Sequence, residues 1–79
     1  MKSLDCVPIG MKCIVQEITG SAPIRTRMLD MGLTKGTEVT VVREAPLGDP
    51  IEFEVRGYNL SLRREEAHMI LVRELNDAA

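Results

Sequence analysis

The side chains able to do chemistry are few in this 79-residue sequence, and their spacing limits what they can do. His68 is the single histidine, and no serine or cysteine stands near it with a third group to orient the pair. Covalent catalysis of the nucleophile–base kind therefore lacks its parts. Carboxylates pair twice, as Glu65-Glu66 in a turn and as Glu52 and Glu54 on the outward face of a strand, and neither placement implies a cleft. Cys6 and Cys13 are separated by six residues, which is neither a zinc spacing nor a redox motif. Two free thiols are expected, with Cys13 acting as a small hydrophobe inside an apolar run. Together with five methionines these are soft ligands, but they do not cluster, and no glycine-rich run precedes a helix to cradle phosphate. The expectation is a chain with no catalytic residues, no metal set and no cofactor.

Binding is the remaining class of function. The ten Lys and Arg residues against twelve Asp and Glu give a net charge of −2, without the basic excess that phosphate neutralisation requires. Phe53 and Tyr58 are the only aromatics, too few for a proline-peptide groove or for stacking single-stranded bases. No nucleic-acid partner is expected. A protein partner is, and two groups of residues are candidates to meet it. Arg25 and Arg27 lie in the N-terminal half of an expected helix, where the helix dipole disfavours cations. The run Pro46, Leu47, Gly48, Asp49 and Pro50 forms a loop with an apolar residue at its tip.

These residues need elements to hold them. Lys12 to Ile18 reads as a first strand. Ser21 is a good N-cap and Pro23 suits the first turn of a helix whose stripe is Ile24, Met28 and Met31, with Leu29 beside it. Gly32 ends that helix in the left-handed conformation, so that Leu33 folds back onto the stripe. From Thr37 to Arg43, Val39 and Val41 share one face; from Pro50 to Gly57, Ile51, Phe53 and Val55 do the same. The next strand carries Tyr58, Leu60 and Leu62. A two-residue loop at Gly57-Tyr58, preferred for a type II′ turn, sets Leu60 against Val55 and Leu62 against Phe53; a loop at Arg56-Gly57 also keeps the phase and pairs Val55 with Tyr58. A short turn at Arg64-Glu65-Glu66 leads to a last strand, His68 to Arg73, with Ile70 and Val72 inward. This is the connectivity of a five-stranded SH3-like small β-barrel, mostly β, with one α-helix inserted between strands 1 and 2 and a short helical turn before strand 5. Closure of the sheet is expected to protect its edges. The 79 residues make one domain, with 74–79 as a flexible tail. No apolar run is long enough to cross a bilayer and the N-terminus has no signal-peptide core, so a cytoplasmic protein without membrane insertion is expected.

The residues from Arg27-Met28-Leu29-Asp30-Met31-Gly32-Leu33 through Thr37, with Val39 to Val42, Ala45-Pro46-Leu47-Gly48-Asp49-Pro50-Ile51, Arg56-Gly57-Tyr58, Leu60 to Arg63 and Glu66-Ala67, resemble the FeoA family. These are small SH3-like proteins of bacterial ferrous-iron uptake, and the likeness runs from about Leu4 to Val72. Lys35 departs from the proline that many members have there. The resemblance implies a partner, the membrane ferrous-iron transporter FeoB, whose cytosolic part is a GTP-binding domain. It implies an interaction module that regulates or assembles the transporter. The contrasting hypothesis is an Fe(II)-binding sensor or carrier that uses Cys6, Cys13 or His68.

Overall fold

The computed structural model describes residues 1–75. Its elements are β1 (Lys2–Ser3), a 3₁₀ turn (Leu4–Cys6), β2 (Lys12–Ile18), α1 (Ala22–Asp30), β3 (Glu38–Glu44), β4 (Ile51–Val55), β5 (Tyr58–Leu62), α2 (Arg64–Ala67) and β6 (Ile70–Glu74). All strand pairs are antiparallel and form one sheet in the order β1-β6-β2-β3-β4-β5. The five expected strands are present, together with a sixth. β1 is two residues long and carries no alternation a sequence window could detect, yet Lys2 pairs with Val72 and Ser3 with Leu71. Among the described residues the sheet is not closed: β1 and β5 are its ends and do not pair with each other.

Bulges help curl this sheet around its core. One lies between Val15 and Glu17 where β2 meets β6, the other between Val41 and Arg43 where β3 meets β4. Each extra residue increases the local twist and bends its strand over the interior. Phe53 lies at 0% exposure, with Leu4, Val15, Met28, Leu33, Val39, Val55, Leu62, Ile70 and Val72 packed into the same cluster. Cys13 belongs to this core, as its apolar surroundings predict.

Two local expectations are corrected. The β4–β5 loop is Arg56-Gly57, so Val55 faces Tyr58, Phe53 faces Leu60 and Ile51 faces Leu62. Arg56 has φ 53° and Gly57 φ 85°, both left-handed, as a type I′ turn requires. That turn has the twist of the strands it joins, which outweighs the cost of a left-handed arginine. In α1, Ser21 occupies the N-cap position with extended backbone, but its hydroxyl makes no capping bond. Met28 is fully buried, whereas Leu29, a helical step of about 100° further round, is half-exposed. The helix end matches expectation. Gly32 has φ 92°, its N–H donates to Leu29 C=O (3.0 Å), and the N–H of buried Leu33 donates to Met28 C=O (3.1 Å). These are the two bonds of a Schellman motif.

The tail expected over 74–79 starts with residues tied to the sheet. Glu74 pairs with Cys13, and the Leu75 N–H donates to Lys12 C=O at 2.9 Å. Residues 76–79 lie outside the described residues. Among the described residues, no helix is long and apolar enough to cross a membrane.

Candidate functional site

The loop between β3 and β4 is tightly built. The Gly48 N–H donates to Ala45 C=O (2.7 Å), and the Ala45 N–H donates to Pro50 C=O (3.0 Å). Leu47 stands at the tip with 96% of its surface exposed, so it does not cap the core. The Asp49 carboxylate accepts the backbone N–H of Arg64 at 2.8 Å, which satisfies an otherwise open donor in the first turn of α2. Pro46 and Pro50 border a shallow concavity of about 350 Å³ together with Arg43, Glu44, Glu52 and Ser61.

Arg64 braces this loop from the side. Its guanidinium donates to Gly48 C=O from Nε (3.1 Å) and Nη2 (2.9 Å), to Glu44 Oε2 (2.7 Å) and to Asp5 C=O (3.3 Å). One planar side chain thus fastens the loop, the end of β3 and the 3₁₀ turn to α2. Arg64 is not marked out in the sequence, because its partners lie 15 to 59 residues away. Those distances leave no periodic signal.

The helix candidates divide. Arg27 pairs with the Glu66 carboxylate, so it ties α1 to α2. Glu66 Oε1 also accepts the Arg63 N–H at 2.8 Å. Burial pulls the Glu66 pKa up, but the Arg63 amide, the Arg27 hydrogen bond and the charges of both arginines together hold it below its ordinary 4.5. Arg25 is not part of this cluster. It lies exposed along a groove of about 230 Å³ between α1 and β2, with Leu29, Lys35, Glu17, Ile18 and Val15. The structure therefore links Arg27 to the Pro46–Pro50 loop through α2, and leaves Arg25 on a separate groove.

A second clamp secures the far end of α1. The Tyr58 hydroxyl donates to Met31 C=O, and Arg56 Nη2 donates to the hydroxyls of Thr34 (3.2 Å) and Thr37 (3.1 Å). The Tyr58 hydroxyl satisfies a carbonyl left open at the helix C-terminus, and the Arg56 charge lies by the turn just beyond that end, where the helix dipole favours it.

The soft ligands are dispersed. Cys6 is exposed, its sulfur 3.4 Å from the Ser3 hydroxyl. Cys13 is buried and its thiol donates to Val39 C=O at 3.5 Å. Burial, and secondarily the charge of Glu74, push its pKa from 9.0 up to about 11. His68 Nδ1 lies 3.4 Å from the Asp5 carboxylate. Among the described residues no three His, Cys, Asp or Glu side chains gather where they could hold a metal ion.

Comparison with known proteins places this geometry. Residues 2–74 match the model of the FeoA domain. A fusion of Fe(2+) transport protein A with the Fe(2+) transporter FeoB from Porphyromonas gingivalis is 39% identical over 70 residues, which is 89% of this chain. Those residues span 8% of the fusion protein's length. The solution structure of a FeoA-like protein from Clostridium acetobutylicum is 41% identical, with a TM-score of 0.89 over 99% of this chain and 91% of that one. The zinc complex of FeoA from Stenotrophomonas maltophilia, described as a procaryotic SH3 domain protein, is 26% identical with a TM-score of 0.79. That match covers 91% of this chain and 89% of that one. The fold is accordingly a small SH3-like β domain, and the chain belongs to the FeoA family, a domain associated with ferrous iron transport.

Proposed function

We propose that this chain is a cytoplasmic protein-interaction module that regulates or assembles a FeoB-type ferrous iron transporter by binding its cytosolic part. The observation that carries this reading is the Porphyromonas gingivalis relative, in which a domain 39% identical to this one is joined covalently to the transporter. Two proteins that work together as separate chains gain effective concentration when fused. The docking surface in this reading is the braced Pro46–Pro50 loop with its exposed Leu47 tip and Arg27, joined to it through α2, and it extends to Arg25 on the separate groove between α1 and β2. A rigid loop presenting an apolar tip loses little entropy on binding, which favours it as an anchor.

The test is a titration of isotope-labelled protein with the cytosolic domain of the transporter, with and without guanine nucleotide. Amide shifts over residues 45–50 and at Arg25 are expected, and Leu47→Ser is expected to weaken binding about tenfold, the loss of one buried leucine contact. Unchanged spectra at high partner excess would count against direct docking. The contrasting role as an Fe(II) sensor or carrier draws on Cys6, Cys13 and His68. An anaerobic Fe(II) titration tests it, and binding that survives Cys6→Ser, Cys13→Ser and His68→Ala would remove those ligands from the account.

A further inference from the structure

The sheet ends unequally. At one end β1 offers only Lys2 and Ser3, and at the other β5 runs for five residues. No strand among the described residues pairs with its outer side. The two-residue turn makes Val55 and Tyr58 a hydrogen-bonded pair, and alternation gives Phe53–Leu60 and Ile51–Leu62 the same status. The backbone N–H and C=O groups of Asn59 and Ser61 therefore face away from β4. Both residues are exposed. Such a row of open groups is a template for another strand.

Charge selects the occupant. Arg56 and Arg63 stand just beyond the two ends of β5, both exposed. Among the described residues neither forms an ion pair, and Arg56 is held by threonine hydroxyls instead. A second copy adding antiparallel about Leu60 would set Arg56 of one chain against Arg64 of the other, with Arg63 adjacent. Like charges oppose that arrangement. A segment with carboxylates at its ends meets opposite charge at both. Between the ends, the residue opposite Leu60 enters a non-hydrogen-bonded pair, where side chains approach closely. It meets partly buried Leu60 and the half-exposed ring of Tyr58, so an apolar residue fits there.

We propose that the outer edge of β5 is a strand-addition site for an extended protein segment of about five to seven residues, apolar at alternate positions and acidic at both ends. The site does not depend on the transporter reading, and its test uses a probe that contains no transporter. The blocked peptide Glu-Val-Thr-Val-Thr-Val-Glu is titrated into the labelled full chain, alongside the same peptide with lysine at both ends. Expected are shifts over residues 58–63, slowed hydrogen exchange at the Asn59 and Ser61 amides, and binding about tenfold weaker for the lysine-ended peptide. Ser61→Pro removes an outward donor without touching the β4–β5 bonds and is expected to abolish addition. Should that variant not fold, Arg63→Glu supplies the second reading by narrowing the preference for the acid-ended peptide. No shift at millimolar peptide, equal affinity for the two peptides, or shifts that map away from β5 would overturn the proposal. Concentration-dependent protection of Asn59 and Ser61 without peptide would overturn it in favour of a second copy.

Discussion

Gly32 shows how much one backbone position decides. Its φ of 92° is needed for the Schellman motif, and a Cβ there would lie 2.9 Å from the Tyr58 hydroxyl that caps α1. Gly36 has nearly the same φ, 90°, with nothing within 4 Å of such a Cβ. Alanine at Gly36 should cost about 1 kcal/mol for the left-handed conformation alone. At Gly32 the displaced tyrosine adds to that cost, for about 2–3 kcal/mol in all. Urea melts of the two variants check the difference, and equal losses would show that the Tyr58 contact is not what matters. Cys13 makes a pH prediction. Its folded pKa of about 11 lies above the ordinary 9.0, so the stability of keeping a neutral thiol is full below pH 9 and is lost as pH rises towards 11. The loss is about 2–3 kcal/mol, and subtracting the pH profile of Cys13→Ala from that of the unaltered chain isolates it. The exposed Cys6 should react with a thiol reagent long before Cys13 does.

Among the elements, α2 does more than its four residues suggest. A helix so short does not persist unaided, and Asp49, Glu66 and the Arg64 bonds hold it while it in turn holds the loop and α1. Arg64→Ala should cost about 1–2 kcal/mol, a figure kept modest because the side chain is partly exposed. Amide exchange should quicken over residues 45–50, and an unchanged loop would mean that its own bonds suffice. Glu66 contributes on the acid side. Its depressed pKa means stability that is present above the ordinary carboxylate value and lost as pH falls through the lower folded value, so Glu66→Gln should flatten the acid limb of the melt. What the sequence displayed follows the same division. Alternation placed β3, β4 and β6, and the Gly32-Leu33 pair placed the end of α1, because both are local patterns of burial or dihedral angle. The Arg56-Gly57 turn was ambiguous, since both registers keep Val55, Phe53 and Ile51 in phase and only the twist of the hairpin separates them. Arg64, Tyr58 and the Arg27–Glu66 link were not legible at all, because each joins residues brought together only by the folded sheet.

For the whole molecule, one aliphatic core with one aromatic leaves little redundancy. Phe53 is completely buried at the centre of β4, and Phe53→Ala should cost about 3–5 kcal/mol, a large share of the ~5–15 kcal/mol typical of a domain. Loss of a cooperative thermal transition in that variant is the expected result, and a cooperative melt shifted by only a few degrees would contradict it. The pairing of β1 with β6 has a mechanical side. Lys2 faces Val72 and forms an ion pair with Glu74, so the two ends of the sheet-bound chain emerge next to each other on neighbouring antiparallel strands. Tension applied through both ends then pulls across the inter-strand bonds, which break one after another as in a zipper rather than all together in shear. A domain tethered at both ends within a longer chain would peel first at β1, then along β6 from Glu74 inward. In an optical trap it should open at low force, and a cross-link between positions 2 and 72 should raise that force sharply.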